Sequence, residues 1–98
     1  MITLDRMNSL EDLKYAKAYE QVENYREGEK AAIAYFKNIY EENDHDEEWS
    51  DDMVDFYGPK KFRTHDYETN VTTETTVYES YVDSGSVDYF FFSYETEL

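Results

Sequence analysis

Carboxylates dominate the chemistry this chain can offer. Nine of them stand among the fifteen residues Glu41 to Asp55, EENDHDEEWSDDMVD, with no Lys or Arg between them. Paired carboxylates divide acid and base roles when their surroundings push their pKa values apart, but no acid in this run is set off from its neighbours. His45 lies inside the run and reads as an exposed, proton-binding side chain. His65 is flanked by Thr64 and Asp66, which in a strand point to the face opposite the imidazole. The chain has no Cys, which excludes a disulfide framework, a thiolate metal cage and a cysteine nucleophile. Its three Gly form no phosphate-cradling loop. The expectation is a protein without a catalytic site.

Two further constellations resemble binding sites only in part. Asp44, Asp46 and Glu48 alternate as in a calcium loop, with Asp55 at the twelfth position, but the sixth is Trp49, where that loop needs Gly for its turn. No dedicated metal site or cofactor is expected. Lys60-Lys61-Phe62-Arg63 sets three cations around one aromatic ring, as nucleic-acid-binding faces do. The whole chain carries 24 Asp and Glu against nine Lys and Arg, a formal charge of -15, so this cluster reads as local neutralisation. Such a charge repels nucleic acid and anionic lipid and favours basic protein surfaces. The expected partner is a basic nucleic-acid-binding protein, with no direct nucleic acid and no membrane.

A run of like charges is usually a solvated or disordered segment. Here it lies in mid-chain and ends on an amphipathic pattern. Trp49, Met53, Phe56 and Tyr57 fall at i, i+4, i+7 and i+8, one stripe of a helix. Asp44 or Asp46 would cap that helix, Glu47 and Glu48 would sit at the positive end of its dipole, and Gly58-Pro59 would stop it. Upstream, Ser9-Leu10-Glu11-Asp12 has the form of a capping box, and Leu10, Leu13, Ala16, Tyr19 and Val22 keep a helical period. The spacing predicts helix one over Leu10 to Glu27 with Gly28 as its stop, and helix two over Glu29 to Tyr40, the two forming a hairpin or one bent helix.

Beyond Pro59 the composition shifts to Thr, Val, Tyr and Phe, with Asn70 and Ser84-Gly85 as turn residues. Strands are predicted over Lys61 to Glu68, Val71 to Val82 and Val87 to Glu97. A two-residue loop at Ser84-Gly85 would set Val77 opposite Phe92 and gather Glu74, Tyr78, Tyr89, Phe91, Glu95 and Glu97 on one face; a longer loop would swap the faces. The fold class expected is α+β: two or three N-terminal helices over about residues 9–57, packed on a three-stranded antiparallel sheet over about 61–97. Ninety-eight residues make one domain, 1–98. Its 18% aromatic content, with eleven Tyr, argues for a folded chain despite the charge. The N-terminus, MITLDRMNSLEDLK, lacks an apolar signal core, so a cytoplasmic location is expected.

Carboxylates repeating on one strand face at about 6.6 Å step much as a phosphate backbone does. In size, charge, lack of Cys and the acidic, Tyr-rich segments EENDHDEEWSDDMVDFY and YETNVTTETTVYESYVDSGSVDYFFFSYETE, the chain resembles the small DNA-mimicking inhibitors of phages and mobile elements. That class includes anti-restriction proteins, uracil-DNA glycosylase inhibitors and many anti-CRISPR proteins. The resemblance is one of class, without a shared motif. It implies a non-enzymatic inhibitor that occupies the nucleic-acid groove of a bacterial defence protein, such as a CRISPR-Cas or restriction component, in the host-cell cytoplasm. The partner-binding residues expected are Asp44, Asp46, Glu47, Glu48, Asp51 and Asp52 for charge, Glu74, Glu95 and Glu97 extending the array, and Trp49, Tyr78 and Tyr89 as anchors. Two other classes fit the composition: an antitoxin or immunity protein neutralising a basic toxin, and an assembly component that forms a homodimer through a Tyr-rich sheet face.

Overall fold

A computed structural model describes residues 3–82 and 89–98. It is α+β, with one long helix and a four-stranded mixed sheet. Strands β1 (Tyr19–Gln21), β2 (Val54–Asp66), β3 (Val71–Val82) and β4 (Tyr89–Glu97) lie in the order β1-β4-β3-β2. Strand β1 runs parallel to β4, and the other pairs are antiparallel. This corrects the expectation of two or three helices on a three-stranded antiparallel sheet.

The predicted helix one does not form. Leu10–Tyr15 is a 3-10 turn, and the chain beyond it is extended. Asp12 reaches back as anticipated, its Oδ2 accepting from the N–H groups of Asn8 (2.6 Å) and Ser9 (3.2 Å). Helical periodicity then loses to sheet pairing. Phe91 and Ser93 are buried, and their backbone groups need partners. The Phe91 N–H donates to the Ala18 carbonyl oxygen (3.0 Å), and the Ser93 carbonyl oxygen accepts from the Val22 N–H (2.8 Å).

Helix α1 spans Tyr25–Glu42 and absorbs Gly28, the residue expected to end a helix. Asn24 caps it, its side chain accepting from the Glu27 N–H at 3.0 Å. Gly28, Ala32 and Phe36 recur every fourth residue and form the face that meets the sheet. A Cβ at Gly28 would overlap the Phe92 ring, so the missing side chain is what lets helix and strand approach here.

The third predicted helix also gives way to strand. Residues Asp51–Met53 make one 3-10 turn, and β2 begins at Val54. Gly58-Pro59, expected as a stop, is instead an irregularity inside β2: pairing with β3 slips between Tyr57 and Lys60, and the peptide bond is cis. Gly58 holds φ 125°, and a Cβ there would stand 3.0 Å from the Val77 carbonyl oxygen. Asn70, at φ 57°, closes the β2–β3 turn as anticipated.

Two layers cover the sheet. On one face α1 packs over Val54, Val82, Phe90 and Phe92. On the other, the N-terminal turns Leu4–Arg6 and Leu10–Tyr15 lay Leu4, Met7 and Leu13 on Val77 and Phe91. Tyr78 pairs with Phe92, and Val77 with Ser93, one residue off the register expected from a two-residue loop. Ser84-Gly85 itself falls outside the described residues. That one-residue difference takes Glu74 and Tyr78 to the helix side with Phe92 and leaves Phe91, Tyr89, Glu95 and Glu97 on the other.

Candidate functional site

The acidic run follows the end of α1 and is organised by one side chain from its last turn. The Tyr40 ring stacks on His45, with centroids 3.7 Å apart and planes 5° from parallel. Its hydroxyl donates to the Glu47 carbonyl oxygen at 2.6 Å, and its edge meets Trp49 at 5.4 Å. Trp49 in turn donates from Nε1 to Asp51 Oδ1 at 2.8 Å. Ser50 accepts from the Asp52 N–H (3.3 Å) and opens the turn that leads into β2. Met53 and the half-buried Trp49 pack against the core beneath α1. The connection is therefore a pinned lip, fastened by three aromatic side chains at its inner edge.

Its carboxylates lie in solvent. Asp44, Asp46, Glu47, Glu48, Asp51 and Asp52 are all exposed. Among the described residues no Lys or Arg forms an ion pair with any of them. Three of them, Asp46, Glu47 and Asp52, border an open hollow of about 610 Å³ together with Tyr40, His45 and Asp55. Asp44 and Asp46 cap no helix. They lie past the C-terminus of α1, whose last turn carries no basic residue. Carbonyl groups at a helix C-terminus carry partial negative charge, so the helix adds to the field of the lip. The acids were expected at the positive end of a dipole and lie at the negative end of another.

The other predicted contact residues do not join this array. Glu74 is committed to cations across the β2–β3 ladder, with Arg63 Nε at 3.0 Å and Lys61 Nζ at 3.5 Å. The hydrogen bond from Arg63 leads in holding its carboxyl below the ordinary value, with Lys61 assisting. Glu95 and Glu97 are exposed, but they pair with Thr75 and Thr73, so they share the face opposite to Glu74. From Thr73 to Val82, where the lip begins, is nine steps of β3, or about 30 Å. Tyr78 lies under α1, edge-on to Tyr25 (4.8 Å) and stacked with Phe92 (5.3 Å). Its burial pushes the phenol pKa up. Tyr89 stands on the opposite face, partly buried beside Tyr81 (5.9 Å). The single acidic and aromatic face anticipated from the sequence is thus split in two.

One constellation was missed. Glu79, 6% exposed, lies on the N-terminal side of the sheet with Tyr57, Tyr81 and Tyr89 around it. The signal was in the strand: Val77, Glu79 and Tyr81 alternate on one face of a segment apolar on both sides, which puts an acid in a buried row.

The fold and site define an α+β protein with a fixed acidic lip at one end of its sheet. The chain matches no protein-family model, no curated protein and no solved structure. Among the described residues no helix is long and apolar enough to cross a membrane.

Proposed function

We propose that this chain is a non-enzymatic inhibitor that binds the basic nucleic-acid groove of a target protein, with the lip from Asp44 to Asp55 as its contact surface. The observation that carries this reading is the set of six exposed carboxylates on a segment held by the Tyr40, His45 and Trp49 contacts. A disordered acidic tail would lose conformational entropy on binding. A pinned lip presents its charge with that ordering already done. Complementary charge speeds encounter and sets orientation. A bacterial defence nuclease, of the CRISPR-Cas or restriction kind, presents a groove lined with Lys and Arg of the sort such a lip fits.

Glu74 is left out of the contact surface because its charge is already matched, and Tyr78 because it serves the core. Glu95 and Glu97 would touch a partner only if it reached around to the far end of β4.

The test is a pull-down with the tagged chain at low salt, eluted by rising salt and then, in parallel, by DNA and RNA. A nucleic-acid-binding protein released by both treatments supports the reading. A partner held equally well in the presence of excess nucleic acid sinks it.

A further inference from the structure

We infer that the hollow beneath the N-terminal turn is a binding site for an organic cation of side-chain size, a guanidinium or alkylammonium group. It is separate from the lip, and its fate does not depend on the function proposed above. The hollow measures about 360 Å³ and is bordered by Thr3, Leu4, Asp5, Tyr57, Glu79, Tyr81 and Tyr89. That volume lies at the small end of ligand pockets, which suits one side chain or a small amine.

Its chemistry comes from two adjoining rungs of the sheet. Tyr57 pairs with Glu79, and Tyr81 pairs with Tyr89. The Tyr57 and Tyr81 rings stack at 5.2 Å with planes 9° apart, and their hydroxyls meet at 2.5 Å. Tyr89 tilts against Tyr81 by 59°, so the three rings form a bent wall. Tyrosine faces attract cations through the ring quadrupole. Among the described residues the donor to the Glu79 carboxyl is the Leu4 N–H, which reaches Oε2 at 2.5 Å, and Glu79 borders the hollow. Asp5 adds a second carboxylate at the rim.

Glu79 is 94% removed from solvent and, among the described residues, its carboxyl has no cationic donor, so its charged form is costly unless a charge is brought to it. The Lys60 ammonium donates at 3.3 Å to the Leu4 carbonyl oxygen, and Lys60 does not border the hollow. Glu79 in fact carries a pKa raised by burial, with Asp5 adding to the rise and the Leu4 N–H opposing it. A cation with N–H donors would give the Glu79 carboxylate a charge-assisted bond and set its alkyl stem against the tyrosines. A neutral alcohol would gain the stem contact and one O–H hydrogen bond without the attraction of opposite charges.

The experiment is a titration of the intact chain with n-butylammonium, n-butylguanidinium and, as the uncharged control, 1-pentanol, followed by the tyrosine ring resonances in NMR. Saturable shifts at Tyr57, Tyr81 and Tyr89 with either cation, and none with the alcohol, are expected. Glu79→Gln should weaken binding by about tenfold, and Tyr57→Leu, at a half-exposed position, by about threefold. Equal binding of alcohol and cation, or unchanged affinity in both variants, overturns the assignment. Spermidine and a doubly blocked arginine separate the sources: tighter binding of spermidine assigns a free polyamine, and tighter binding of the arginine assigns a side chain of a partner protein.

Discussion

In the lip between α1 and β2, six carboxylates stand in solvent around a stacked Tyr40 and His45. Two residues along β3 from the pair that joins the lip to the sheet, Glu79 sits almost wholly buried among three tyrosines. Asp55, which borders the lip's hollow, pairs with Tyr81, which borders the other. Two regions built from the same residue types thus adjoin across a single pair of strands. They differ in which part faces out. In the lip the aromatic groups form the inner edge, and the charge is left to water. In the cleft the charge lies inside, and a tyrosine is the half-exposed group. The first arrangement suits broad, salt-sensitive attraction, because exposed charges act over roughly a Debye length. The second suits a single cation close enough to touch.

The strongest way to break the comparison is to reverse the lip's charge. Replacing Asp44, Asp46, Glu47 and Glu48 by Lys should weaken binding to a basic partner by about a hundredfold or more, roughly 2.7 kcal/mol. Because these side chains are exposed and repel one another, thermal stability should stay level or rise. Calorimetric titration and melting of the same preparation would check both. A drop of several degrees in Tm would mean that the acids support the fold. Next in size is Tyr40→Ala, which removes the stack, the hydrogen bond to Glu47 and the contact with Trp49 together. For a partly buried ring the expected loss is about 2 kcal/mol of stability. Affinity for the partner should fall with it, since the same six charges would then be carried by a loose loop.

How much of this was legible in the sequence follows from which forces are local. The β3 limits, the Asn70 turn and the strand character of the C-terminal third were readable, because β-branched and aromatic runs bounded by turn residues act locally. The exposed acids were readable too, since charge density is a property of the chain. The helix expected over Leu10 to Glu27 failed because β4 had a free edge, which nothing in residues 10–27 announces. The helical stripe Trp49, Met53, Phe56 and Tyr57 failed in another way. Trp49, Met53 and Phe56 do pack against the helix-side core, but they reach it from a loop, a turn and a strand. Gly58 misled because its positive φ serves an irregularity within a strand as readily as a helix stop. Most costly was the register: one residue at the β3–β4 junction decides whether Glu74 joins Glu95 and Glu97 or stands on the opposite face.

Acid titration sharpens the comparison at the cleft. The Glu79 carboxyl is raised above the ordinary glutamate value, so folding favours its neutral form. Its contribution to stability is therefore fully present below the unfolded-state value and is lost as pH rises through the folded-state value. The groups facing it are the Asp5 carboxylate, the Leu4 N–H and the phenols of Tyr57, Tyr81 and Tyr89. Glu79→Gln should remove this segment of the stability profile, leaving the general gain that comes from neutralising other acids. Glu74 has the opposite sign. Lowered by Arg63, it stabilises above the ordinary value and loses that effect as pH falls. Glu74→Gln should accordingly change the profile in the other direction. Denaturant midpoints between pH 3 and neutrality, taken for the three proteins side by side, would check this. Parallel profiles for the native chain and Glu79→Gln would mean that burial leaves the Glu79 carboxyl unshifted.

The smallest effect concerns what fastens the lip. Tyr40→Phe keeps the ring that stacks on His45 and meets Trp49, and removes only the hydroxyl that donates to the Glu47 carbonyl oxygen. A hydrogen bond at an exposed site contributes about 1 kcal/mol or less, because water replaces it. Global stability should hardly move. Amide exchange in the segment from Asp46 to Trp49 should quicken severalfold, and partner affinity should fall by less than about threefold. If the ring does the fastening, Tyr40→Ala and Tyr40→Phe will differ widely in both readouts. If the two variants behave alike, the hydroxyl holds the lip, and its order depends on one solvent-exposed bond rather than on the aromatic edge that sets it apart from the cleft.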